Sequence, residues 1–187
     1  MNLPRKKACT VLLCLLLLFS TNANSNDIGL SNIIISNTKH DLIIYFTVEG
    51  CFTDKLKKAI LSGVPTTFTF LASLYRVRNF WPDKKIADTR VYHTIKYDNL
   101  KNEFHIIKSE EPGKNFTTKS FSEAQKLMAE IDSLVIAPLK MLRKDEHYQI
   151  RMKAELSKIT LPFYLHYVFF LFLWDFETDW YAIDFTY

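Results

Sequence analysis

The stretch YQIRMKAELS, residues 148–157, alternates apolar and polar side chains without a break. A helix cannot segregate a two-residue repeat, whereas a strand does so because successive side chains leave opposite faces of a sheet. Tyr148, Ile150, Met152, Ala154 and Leu156 are expected to pack, and Gln149, Arg151, Lys153 and Glu155 to face water. A strand of this kind belongs in an antiparallel sheet with one face covered.

The same period recurs along the chain. NIIIS (32–36) and DLIIYFTV (41–48) read as a hairpin turning at 37–40, and TTFTFLASLYRVRNFW (66–81) as a long strand. ADTRVYHTIKYD (87–98) and EFHIIK (103–108) read as a second hairpin, SLVIAPL (133–139) as a short strand and TDWYAIDFTY (178–187) as the last. Two segments carry helical spacing instead. TDKLKKAILSG (53–63) has Thr53 or Asp54 as cap and Gly63 as stop. SFSEAQKLMAEID (120–132) is capped by Ser120 or Ser122 and places Phe121, Ala124, Leu127, Met128 and Ile131 on one face. Residues 110–118 read as a polar loop. The order ββαβββαβββ predicts an α+β, mainly β fold: an antiparallel sheet or sandwich of about eight or nine strands with two short helices.

The N-terminus has another character. Arg5, Lys6 and Lys7 precede an apolar run from Ala8 to Phe19, followed by STNANSN. This is the layout of a cleaved export signal, with cleavage after Ala23 or Ser25. The run is too short for a comfortable membrane anchor. Lipidation at Cys14 is not expected, because Leu12 and Leu13 precede it. Residues 1–25 are thus expected to be a signal peptide and 26–187 a single β-rich domain. That signal holds three of the 24 Lys and Arg and no acid, so the remainder is nearly neutral and no nucleic-acid partner is expected. It also holds two of the three cysteines, leaving Cys51 as a small apolar core residue with no disulfide partner.

No GxSxG, HExxH, CxxC, Walker or GxGxxG pattern occurs, and no cofactor, metal or catalytic residue is assigned. His93 and His105 lie on neighbouring strand candidates and would meet across the hairpin, where packing is the ordinary role of such residues. Arg76, Arg78 and Trp81 form a basic strip suited to an acidic or sugar ligand, against the plainer reading of a solvated face. Asn115-Phe116-Thr117 fits a glycosylation pattern, relevant only in a eukaryotic secretory pathway. Asp175, Glu177 and Asp179, spaced by two, would line up for a cation if extended, but their spacing is not a calcium loop and a solvated turn is the simpler reading.

Residues 161–174 are dense in aromatics, including Phe169, Phe170 and Trp174. As a helix, fourteen residues would span about 21 Å, short of the roughly 30 Å hydrocarbon core, so no transmembrane segment is expected here. Either a buried core element or an exposed patch accounts for the composition. The candidate interaction surface is therefore Arg76, Arg78, Trp81, Phe169, Phe170, Trp174 and Trp180, facing an envelope protein or a membrane surface.

Four blocks in order carry a resemblance: KKAILSGVPTTFTFLASLYRVRNFWPDKKIA, YHTIKYDNLKNEFHI, KSFSEAQKLMAEI and LPFYL…WDFETDWYAIDF. Across roughly residues 27–187 the chain resembles the bacterial exported family called domain of unknown function 4390. The positions that carry it include Ser62, Gly63, Pro65, Leu74, Tyr75, Arg76, Trp81, Asp83, Leu161, Pro162, Trp174 and Trp180. The resemblance implies a Gram-negative envelope protein, often encoded near a sensor histidine kinase of the nitrogen-regulation type, and brings no activity, cofactor or catalytic residue. The very aromatic 163–172 stretch departs from the family's more mixed pattern.

The reading is an exported, periplasmic, non-enzymatic binding or interaction domain. One alternative is a small outer-membrane β-barrel, since Tyr181, Ile183, Phe185 and Tyr187 alternate in the last strand. The other is an envelope hydrolase, which rests only on generic acids and histidines.

Overall fold

The computed structural model describes residues 28–157 and 176–187. Their elements are β1 (Gly29–Asn37), β2 (Asp41–Glu49), α1 (Asp54–Leu61), β3 (Thr66–Arg76), β4 (Lys84–Asp98), β5 (Glu103–Lys108), β6 (Asn115–Thr118), α2 (Phe121–Ala129), β7 (Glu130–Pro138), β8 (His147–Leu156) and β9 (Tyr181–Thr186). A short 3-10 turn, Leu139–Met141, links β7 to the loop before β8. The strands form two antiparallel sheets, ordered β1-β2-β7 and β6-β5-β4-β3-β8-β9. The mainly β, α+β fold expected from alternation is the fold observed. The proposed signal at 1–25 and the aromatic stretch 161–174 lie outside the described residues.

The core lies between the sheets and beneath the helices. On β3, Phe68, Phe70, Ala72 and Leu74 are fully buried, and the register sets them beside Leu156, Ala154, Met152 and Ile150 of β8. The smaller sheet answers with Ile44, Phe46 and Val48 of β2, and Phe46 meets Phe70 edge-on at 5.9 Å. Burying one such Phe is worth about 1.5–3 kcal/mol. α1 contributes Leu56, Ala59 and Ile60, and α2 contributes Ala124, Met128 and Ala129. Both helices start on hydroxyl caps: Thr53 accepts from the Leu56 amide, and Ser120 from the Glu123 amide. Cys51 is buried as expected, and burial pushes its thiol up to about 12.

Several boundaries differ from the sequence-based expectation. The polar loop 110–118 contains strand β6, which pairs with β5 from Phe104↔Thr118 to Ile107↔Asn115. An edge strand is held by backbone hydrogen bonds to its neighbour and needs no apolar pattern of its own. β3 stops at Arg76, so residues 77–81 belong to the turn into β4, where Pro82 cannot donate to a ladder. α2 ends at Ala129 and β7 starts at once, because Glu130 and Ile131 pair with Thr47 and Phe46. His93 and His105 do not meet, since His93 is opposite Lys108 and His105 opposite Lys96.

Candidate binding face of the six-stranded sheet

Cross-strand register builds the outer face of the larger sheet in three rungs. Leu71 lies between Arg90 and Lys153, Thr69 between Tyr92 and Glu155, and Ser73 between Asp88 and Arg151. These are the side chains that alternation turns away from the core. They are not simply wet.

Arg151 donates to Asp83 at 2.6 Å and to Gln149 at 2.6 Å, and its guanidinium lies 4.2 Å over the Tyr75 ring. Ser73 donates to Asp88 at 2.5 Å, and Lys85 to the same oxygen at 3.2 Å. The Ser73 hydroxyl, then Lys85, holds the Asp88 carboxyl below its ordinary range. Lys153 pairs with Glu177, lies 3.8 Å from Glu155, and its ammonium sits 5.6 Å from the Trp180 ring centre.

A cavity of about 470 Å³ opens at one end of this face. Thr69, 3% exposed and bonded to the Ser157 hydroxyl at 2.5 Å, lines it together with Leu156 and Phe176. Arg90 and Tyr92 line one side; Glu155 and Glu177 are the acids. Among the described residues Arg90 has no hydrogen-bond or ion-pair partner, while both acids share Lys153. The arrangement offers a forked cation and a phenol to an incoming anionic or polar group.

The structure separates the residues grouped in the sequence. Arg76 is half-buried, 3.7 Å from Glu146, and its Nε is buried without a hydrogen-bond partner. Arg78 donates twice to the Pro82 carbonyl, at 2.9 and 2.5 Å, bracing its own turn. Trp81 is 74% exposed beside Phe80, which is 95% exposed. Trp180 is exposed at the start of β9, near the cavity. Arg76 pairs with Tyr148 and Tyr181 with Met152, so the strand ends that lead to the two tryptophans are about 13 Å apart along β8, with Trp81 in the turn beyond Arg76 and Trp180 just ahead of β9. Phe169, Phe170, Trp174 and Asp175 lie outside the described residues. Glu177 is paired with Lys153, and no group of metal-competent side chains occurs among the described residues.

Arg90 and Tyr92 were missing from the sequence-based candidates. Alternation places them opposite Val91 and His93, but only the register shows that they share a cavity with Glu155. His93 is buried, with Nδ1 3.0 Å from the Met128 carbonyl and Nε2 2.5 Å from Glu110.

Fold and site define an antiparallel α+β domain that presents one charged, cavity-bearing sheet face. The chain belongs to the family described as Domain of unknown function (DUF4390), whose family model matches residues 25–184. No curated protein and no solved structure matches it.

Proposed function

We propose that the chain is an exported cell-envelope domain that works by binding, through the outer face of the six-stranded sheet. The observation that carries this is Arg90, an exposed guanidinium with no hydrogen-bond or ion-pair partner among the described residues and only the more distant charge of Asp88 near it, on the wall of a cavity with a buried polar floor. The cavity acids are both engaged by Lys153, which suits a fixed electrostatic frame better than an acid and base free for turnover. The signal-like N-terminus supports export, and the resemblance supports a place in the envelope beside a sensor kinase. The alternation that suggested an outer-membrane barrel turns Ile183 and Phe185 toward the core, so it has a second explanation.

The test is recovery of partners from envelope extract with the wild-type chain and with Arg90→Glu. The wild type should retain a reproducible component that the variant loses while keeping its melting temperature. Equal recovery by both would sink the reading of this face. Osmotic-shock fractionation tests the location: a chain found only in carbonate-washed outer membrane is not a periplasmic domain.

A further inference from the structure

We infer that the β3–β4 turn is a membrane-docking wedge that seats the domain on an anionic phospholipid surface, independently of the cavity. Phe80 and Trp81 are adjacent and project from the turn at 95% and 74% exposure. Two neighbouring rings left in water are unusual unless something covers them, and Trp in particular settles where hydrocarbon meets headgroups.

The turn is already ordered. The Val77 amide donates to the His147 carbonyl at 2.9 Å, Arg78 clamps the Pro82 carbonyl, and Arg151 holds Asp83 at 2.6 Å. A wedge ordered in advance loses little further freedom on insertion.

Charge selects the occupant. Because Arg76 pairs with Tyr148, the loop before β8 lies at the same end of the sheet. That end exposes Lys84, Arg143 and Lys144, none with a side-chain partner among the described residues. Of its acids, Asp83 is held by Arg151 and Glu146 lies against Arg76, leaving Asp145 and, one rung into β9, Asp184, which accepts from the neutral Gln149. Exposed aromatics beside an excess of cations fit a bilayer carrying negative headgroups.

The test is co-sedimentation of the full chain, expressed with its own N-terminal segment and purified as the cell delivers it. Vesicles of phosphatidylglycerol with phosphatidylcholine are compared with phosphatidylcholine alone. The wild type should prefer the anionic vesicles by about tenfold or more and lose that preference in high salt. The double variant F80S/W81S should lose binding, and K84E/K144E should lose the anionic preference, both with unchanged melting. The charge variant keeps the test decisive if the double variant misfolds. Absence of wild-type binding to either vesicle, equal binding to both, or full binding by F80S/W81S would overturn the inference. So would aromatic-dependent capture of a protein with vesicles ignored.

Discussion

Cys51 shows how far a single residue's chemistry follows from its surroundings. Its type and its place after a strand suggested an inert core thiol, and burial at 2% exposure makes it one. With the thiol pushed up to about 12, the thiolate that reacts with disulfide reagents is scarce at neutral pH. A chain without residues 1–25 should be unreactive to Ellman's reagent when folded and react fully in denaturant. Rapid labelling of the native protein would contradict this. Arg76 and Arg78 teach the opposite lesson. Their types suggested open cations, but Glu146 and the Pro82 carbonyl, remote from or beyond the strand pattern, occupy them.

Among the elements, the stop of α1 was legible, while the end of α2 and the short edge strand were not. Gly63 closes α1 at φ +83°, where a side chain is disfavoured, and an added Cβ would come 3.2 Å from the Asn99 side chain. Gly113 has a similar φ of +85° in an open loop with nothing within 4 Å. Gly63→Ala should therefore cost about 1–2 kcal/mol and Gly113→Ala no more than the backbone part of that. Urea midpoints at constant m-value measure both, and an equal or reversed order would show that the Asn99 contact relaxes freely. Strand β6 and the abrupt change from α2 to β7 escaped the sequence because pairing makes them strands, β6 with β5 across a short polar loop and β7 with β2 far away in the chain.

For the whole molecule, the buried His93–Glu110 pair ties β4 and the loop after β5 to the last turn of α2. Burial alone would raise the Glu110 carboxyl, but the hydrogen bond and charge of His93, with Lys108 nearby, outweigh it and the net shift is downward. A lowered carboxyl stabilises the fold above its ordinary value of 4.5, and that stability is lost as pH falls through the lower folded value. Other charges at this joint are Lys108 and Asp132, 3.4 Å apart. Melting temperature should fall on acidification below about pH 4.5, and Glu110→Gln should flatten part of that decline. An identical pH profile for the variant would remove the pair from the acid response.

Alternation alone, a consequence of strand geometry, determined that the chain is a mainly antiparallel β domain, and hydroxyl caps and Gly63 marked its helices. Those signals are local, each contained within a dozen residues. Which outward side chains share a cavity, which cations are neutralised and which aromatics stay in water depend on partners tens of residues away. Arg90 and Glu155 came to share a cavity across β3, while Trp81 was left in the β3–β4 turn and Trp180 ahead of β9, because register and packing, not proximity in the chain, set those distances.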